Sequence, residues 1–175
     1  MRVGKNCNIS PRASFYNEEA VELGDNVRID DFAVISGGKG IKIGSCVHIS
    51  AHCSLFGGGE IILNDFVTLA LCVQLFSQSD DYSGRSIAGP HVPMEYKPYF
   101  SSGRILLRRH VLVGCHSVIM PGVDVGIGTS FGAFSFVTGD CQEWSIYAGI
   151  PAKRIGDRSN EIMQLEKKWH DTLIS

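Results

Sequence analysis

Large apolar residues return every six positions along most of this chain. Val3, Ile9 and Phe15 start the series, and Leu23, Ile29 and Ile35 continue it. Ile43, Ile49 and Leu55 follow, then Ile62, Thr68 and Gln74. The series resumes at Leu107, Val113 and Ile119 and closes with Val125, Phe131 and Val137. Sixteen of these eighteen positions are apolar, whereas a chain that is 44% hydrophobic would place about eight there by chance. A period of 6.0 is not a multiple of 3.6, and Gly and Pro interrupt throughout, so the frame excludes a helix. Four residues after an anchor a mostly small or β-branched residue recurs: Cys7, Ala13, Val27, Ala33, Val47, Cys53, Cys72, Val111, Ser117, Val123, Thr129 and Ser135. Phe66 is the bulky exception.

The periods group in threes. Leu107 to Val125 is 18 residues, Val3 to Leu23 and Leu23 to Ile43 are 20 each, and Ile43 to Ile62 is 19. Three hexads plus a one- or two-residue corner insertion predict one turn of a three-sided coil, with a short strand on each side. The large anchor fills the interior and Gly or Asn takes the tight turns. Ile62 to Leu107 is 45 residues, 27 more than one coil needs, which predicts an excursion within residues 76–105, after the fourth coil. The frame thus predicts an all-β prism of about six coils, stacked about 4.8 Å apart.

The prism spans residues 1–156 in this reading, and residues 157–175 form a different segment. Ile162, Leu165, Trp169 and Leu173 recur at helical spacing, with Ser159 as a candidate N-cap. A short helix is expected here, packing on the prism, capping an end, or packing on a neighbour.

Composition narrows the function classes. A net charge of −2 and a pI near 6.3 exclude a basic nucleic-acid footprint. No stretch approaches the roughly 20 apolar residues of a membrane span. The opening MRVGKNCNIS has no apolar core of a secretory signal. Six cysteines at 7, 46, 53, 72, 115 and 141 form no CxxC pair. They are expected to be reduced, mostly buried thiols of a cytoplasmic protein.

The run VLVGCHSVIMPGVDVGIGTSFGAFSFVTGDCQEWSIYAGIPAKRIG, ending in YAGIPAKRIG at 147–156, is similar to the closing coils of hexapeptide-repeat acyltransferases. With the repeat, the resemblance covers residues 3–156, and it is greatest to sugar O- and N-acetyltransferases of the galactoside, maltose and surface-polysaccharide type. The resemblance implies a left-handed parallel β-helix and a homotrimer. It also implies acetyl-CoA as co-substrate, lying between neighbouring prisms, and a sugar or sugar-nucleotide acceptor. Carried onto this chain, the CoA groove involves Gly132, Ala133, Ala148, Gly149, Lys153 and Arg154. Small residues let a thin pantetheine arm approach the backbone, and the two cations suit phosphates.

Acyl transfer to a hydroxyl or amine calls for a base with a pKa near 7, and histidine fits. His170 lies in the tail segment and His91 in the excursion. The frame puts His52 and His116 on one corner, two coils apart. His48 faces outward at the start of the second side, and His110 sits on the adjoining corner. The sequence SQSDDYSGRSIAGPHVPMEYKPYF departs from the galactoside enzymes, which carry a His where this chain has Asp80. Its DDYSG element resembles a subgroup of galactoside acetyltransferases in which an HI dipeptide, here His48–Ile49, also occurs. The resemblance therefore implies His48 as base, with Asp80 or Asp81 orienting it or binding sugar hydroxyls and His110 as the next candidate. Asp80 and Asp81 equally suit an Asx-turn at the loop start. Tyr82, Tyr96 and Tyr99 are candidates for sugar stacking or for anchoring the loop.

Two other functions compete. One carbonic anhydrase class, a metal hydratase, uses the same prism, but a zinc site needs three ligands about 2.0–2.1 Å from the ion. His52 and His116 are roughly 9.6 Å apart along the prism, and no metal is expected. A non-catalytic binding module has no need of a long polar and aromatic excursion.

Overall fold

The six-residue period winds the chain into a three-sided parallel β-solenoid. The first side stacks Arg2–Val3, Val21–Leu23, Ile41–Ile43, Ile61–Leu63, Ile105–Leu107 and Asp124–Val125. The second side stacks Asn8–Ile9, Arg28–Ile29, His48–Ile49, Thr68–Leu69, Leu112–Val113, Ser130–Phe131 and Ser145–Ala148. The third stacks Ser14–Tyr16, Val34–Ser36, Ser54–Phe56, Gln74–Phe76, Val118–Ile119 and Phe136–Val137. The structure, a computed structural model, describes residues 1–174 and side chains through Thr172. Ser175 and the side chain of Leu173, both within the segment read as a tail helix, lie outside the described residues.

Strand pairing puts like residues above one another. Val3 pairs with Leu23, Leu23 with Ile43, Ile43 with Leu63 and Leu63 with Leu107. These columns make the core, in which Ile29, Ile49, Leu55, Leu69, Leu75 and Ile119 are fully buried. Six coils have strands on all three sides. A seventh is partial, carried by Ser145–Ala148 and a bridge from Val125 to Cys141. The count is therefore about seven turns, one more than the six read from the period. The extra turn has no hexad frame of its own.

The fourth coil corrects the frame by one residue. Leu63, Leu69 and Leu75 face inward, and Ile62, Thr68 and Gln74 face outward. The two polar anchors were the mark of this slip. The interior small site of this coil is then Val67 and Val73, not Phe66 and Cys72. Only Cys53 and Cys141 are buried thiols, and the other four cysteines are half-buried, fewer than expected.

The corners use left-handed backbone. Asn6, Asn26, Cys46, Phe66 and His110 form one column with φ of 54°, 56°, 57°, 62° and 62°. Phe32, His52, Cys72, His116 and Phe134 form a second column with φ between 57° and 61°. Such a conformation costs a residue with a Cβ roughly 1–2 kcal/mol. The rings offset part of this by stacking along the column. Phe32 lies 5.0 Å from His52, Phe66 4.9 Å from His110, and Phe134 4.9 Å from His116.

The excursion leaves the third side after Phe76. Its stem is a two-residue antiparallel pairing of Gln78–Ser79 with Ser101–Ser102. The C-terminal end closes with an antiparallel hairpin, in which Lys153–Asp157 returns beside Ser145–Ala148 after the cis Ile150–Pro151 bond. The helix spans Ile162–Ile174 and caps neither end. It lies on the first-to-second corner, where Trp169 meets Phe66 edge-on at 5.8 Å and Glu166 meets His110. Ser159 accepts the Glu161 N–H at 3.2 Å, ahead of the helix. Leu165, expected to face the prism, is 61% exposed, because an acidic residue occupies the docking face.

Candidate active site

Four of the expected CoA residues come together at one corner. Gly132 and Ala133 end the Ser130–Phe131 strand, and Ala148 and Gly149 end the strand stacked on it. The Gly132 N–H donates to the Tyr147 carbonyl at 2.9 Å, and the Phe136 N–H donates to the Gly149 carbonyl at 3.0 Å. A Cβ on Gly132 would stand 3.2 Å from the Ala148 Cβ, so a larger residue would push this corner apart. Gly149 has φ of 101°, a conformation suited to glycine. Lys153 pairs with Ala148 along the hairpin, is exposed, and makes no ion pair among the described residues. Arg154 is engaged, with Ser145 Oγ at 3.1 Å and with the Asp157 carboxylate.

Phe136 links that corner to the third side, where two clefts meet. The smaller, about 630 Å³, is lined by Phe76, Val118, Met120, Phe136 and Tyr82. The larger, about 1030 Å³, lies between Phe56 and Phe76 on the prism and Val92, Met94 and Phe100 of the excursion. Phe56 and Phe76 stack at 5.6 Å and make its floor. Gln78, Ser79 and Asp80 belong to both clefts and form their shared rim.

Asp80 is the charged group on that rim. Its Oδ1 accepts from Lys97 Nζ at 2.9 Å, and its Oδ2 accepts the Gly89 N–H at 3.1 Å. The bonds from Lys97 and Gly89 hold its carboxyl below the ordinary carboxylate value. Lys97 is buried. Nothing in the sequence singled it out, since MEYKPY reads as ordinary loop. Asp81 has the turn role: its carboxylate accepts the N–H groups of Ser83 at 2.9 Å and Arg85 at 2.8 Å. Tyr82 is 92% exposed at the smaller cleft, and Tyr99 lies beneath the Arg85 guanidinium at 3.9 Å.

His48 stands elsewhere. It faces outward on the second side, its Nε2 2.8 Å from Asp30 Oδ2, while Arg28 Nε donates to Asp30 Oδ1 at 2.7 Å. Burial opposes charge on Asp30, but the bonds from Arg28 and His48 outweigh it and lower its pKa. His48 lines neither cleft of the third side, so one protomer does not bring it together with Asp80 or Asp81. His110, placed on a corner by the frame, is covered by the C-terminal helix and bonded to Glu166 at 2.7 Å. Its side chain is 9% exposed, and burial together with Arg109 and Arg158 lowers its proton affinity. His52 and His116 are corner residues stacked on Phe32 and Phe134. Among the described residues, no three His, Cys, Asp or Glu side chains gather to hold a metal ion, and no helix is long and apolar enough to cross a membrane.

No family model matches the chain. Individual proteins do. It is 38% identical to the dTDP-4-amino-4,6-dideoxy-D-glucose acyltransferase of Escherichia coli over 98% of this chain and 90% of that protein. The crystal structure of AntD, an N-acyltransferase from Bacillus cereus in complex with dTDP and 3-hydroxybutyryl-CoA, superposes with a TM-score of 0.96 at 39% identity, covering 99% of this chain and 92% of that one. The galactoside O-acetyltransferase of Escherichia coli is 27% identical over 93% of this chain and 74% of its own length. With its six-residue frame, its glycine-lined exit corner and these near-full-length likenesses, the chain belongs to the hexapeptide-repeat sugar acyltransferases.

Proposed function

We propose that this enzyme moves an acyl group from acyl-CoA to the amino group of a nucleotide-linked 4-amino-4,6-dideoxy sugar. The observation that carries the reading is the shared rim. One cleft is lined by Phe136, whose N–H bonds the Gly149 carbonyl at the glycine-lined corner, the other has an aromatic floor, and Asp80 stands on the rim they share. The likeness to the Escherichia coli acyltransferase and to AntD, which binds dTDP and an acyl-CoA, supports the choice of acceptor.

In this mechanism Gly132, Ala133, Ala148 and Gly149 present backbone to the pantetheine arm, and Lys153 and Arg154 meet phosphates. The Asp80 carboxylate accepts an N–H of the sugar amine and turns its lone pair toward the thioester carbonyl. The amine attacks the thioester carbonyl, Asp80 takes the proton that the adduct sheds and returns it to the departing sulfur as the C–S bond breaks, so that CoA leaves as the thiol and the carboxylate is regenerated. The reading includes a left-handed coil, a homotrimer, and a cytoplasmic setting in which six free thiols stay reduced. Acetyl is the default acyl group.

A second reading rests on the Arg28–Asp30–His48 chain of hydrogen bonds. An imidazole oriented by a carboxylate is a general base for a hydroxyl acceptor, supplied across the trimer from a neighbouring protomer.

The test is thiol release by the purified enzyme with acetyl-CoA and 3-hydroxybutyryl-CoA. Acceptors are a dTDP-4-amino-4,6-dideoxy sugar and its 4-hydroxy analogue. Turnover of the amine alone supports the main reading, and turnover of the hydroxyl alone replaces it with the second.

A further inference from the structure

We propose that Lys97 is a positioning residue of the acyl transfer: its buried ammonium fixes the Asp80 carboxylate, charged and oriented, on the rim where the acceptor's amine meets the thioester. The proposal rests on the reading of the site given above.

The geometry is asymmetric. The Lys97 side chain is 5% exposed, whereas that of Asp80 is 37% exposed. The ammonium is the sequestered partner and the carboxylate is the one presented. A lysine is rarely buried without a counter-charge, and Asp80 is the carboxylate bonded to this one. Lys97 is itself held in place. Its N–H donates to the Met94 carbonyl at 3.0 Å, and its ammonium sits 5.3 Å from the Phe100 ring. Each Asp80 oxygen has one bond from the protein and a lone pair to spare, which is what an incoming N–H requires.

The surroundings leave Lys97 as the main source of positive charge at Asp80. The titratable groups of the excursion that line the two clefts with them are His91 and Tyr82. The prism contributes Phe56, Phe76, Val118, Met120 and Phe136, none of which ionises. Asp81 is turned away onto the N–H groups of Ser83 and Arg85. The Lys97 bond is the largest cause that lowers the Asp80 pKa, so without it the carboxylate would gain proton affinity. The pair therefore holds Asp80 charged into more acid solution and in one orientation on the rim.

Lys97→Met tests this. In the wild type, log kcat/KM for the amine should fall with slope one below the acceptor's own pKa. In Lys97→Met the slope should steepen to two in the acid range, as Asp80 begins to take up a proton. kcat should drop about 10- to 100-fold, and KM for acyl-CoA should stay within about twofold. Lys97→Arg should restore slope one. Combined with Asp80→Asn, Lys97→Met should add no further loss, because it acts through a carboxylate that is already neutral. If Lys97→Met unfolds, Lys97→Gln and the Lys97→Arg profile carry the same comparison. Slope one in Lys97→Met, parallel rises of both KM values, or a full additional loss in the double variant would show a mere loop pin and overturn the proposal. Wild-type enzyme that acylates no amino-sugar nucleotide would instead overturn the functional reading, and this role with it.

Discussion

His110 Nε2 meets Glu166 Oε2 at 2.7 Å, across 56 residues of sequence and beneath the C-terminal helix. Around this contact Arg109 also bonds Glu166, His170 approaches it at 3.3 Å, and Arg158 donates to the His110 carbonyl at 2.9 Å. Phe66 stacks on His110 and meets Trp169 edge-on. A polar cluster rather than an apolar stripe docks the helix.

Glu166→Ala should therefore loosen the helix without touching the clefts. The glutamate side chain is 9% exposed, so its loss takes the carboxylate from His110 and leaves Arg109 with Asp65 at 3.7 Å. The expected cost is about 1–3 kcal/mol, discounted because Arg109 is partly solvated. Trypsin should cut faster at Lys167 and Lys168, and turnover should be retained. His110→Ala should behave in the same way, which separates a docking residue from a base. A large loss of kcat with unchanged melting would return His110 to the chemistry.

The fourth coil offers a test of register. Leu69 is fully buried and its neighbour Thr68 faces outward. Leu69→Asp should unfold the chain, since an unpaired charge in the core costs several kcal/mol. Thr68→Asp should melt cooperatively near the wild type. The opposite pattern in circular dichroism melts would restore the Ile62, Thr68, Gln74 frame.

That slip shows what the sequence could and could not reveal. The period itself was legible because each side of the prism repeats one demand, a large apolar side chain facing in. On the first side, however, a strand buries both its ends, as Ile61 and Leu63 do, and Ile62 between them is equally apolar. Hydrophobicity alone cannot choose among the three. The polar Thr68 and Gln74 held the answer. The glycine-lined corner was named only through the resemblance to the acyltransferases; in the fold, Gly132 and Ala148 lie against each other where two coils meet. The rim was less legible. Asp80 and Lys97 are 17 residues apart in an excursion with no period, and only the folded loop makes them neighbours. The tail helix was legible from its spacing and packs on the prism as expected, but through Glu166 and Trp169 with Leu165 exposed, because its docking face is largely polar.

Acid should loosen the excursion only once its two aspartates take up protons. Asp80 and Asp81 both have lowered pKa values, the first through Lys97 and Gly89 and the second through bonds from Ser83 and Arg85. A carboxylate whose folded pKa is depressed contributes stability above its unfolded value, near 3.8, and loses it as pH falls through the folded value. Hydrogen exchange of the Gly89, Ser83 and Arg85 amides should thus stay level from pH 7 to about 4, after correction for intrinsic rates, and rise below that. Loss of protection near pH 6 would mean that histidine, not these aspartates, holds the loop.

The exit corner should discriminate among CoA fragments. Lys153 is exposed and makes no ion pair among the described residues, whereas Arg154 already bonds Asp157 and Ser145. Lys153→Ala should weaken CoA by about tenfold, the effect of losing one charge-assisted contact, while pantetheine binding stays within about twofold. Thermal shifts on titrating each ligand measure this directly. Equal weakening of both ligands would place Lys153 away from any phosphate.

The two carboxylate-linked sites, Asp80 and His48, make opposite predictions for the two kinds of acceptor. A sugar amine is nucleophilic once neutral, so it needs positioning and a place for its proton, the role proposed for Asp80. A hydroxyl is not, and it needs a base near pKa 7. With the amine acceptor, Asp80→Asn should lower kcat by about 10- to 100-fold, and His48→Ala should be nearly silent. With a hydroxyl acceptor, His48→Ala should cost about 10²–10⁴ in kcat, through loss of the imidazole that Asp30 orients. His52→Ala and His116→Ala, at stacked corners, should leave the pH profile unchanged with either acceptor. A strong His48→Ala defect on the amine would mean that a neighbouring protomer carries the second side into the rim. The catalytic unit would then be the contact between two prisms rather than the third side of one.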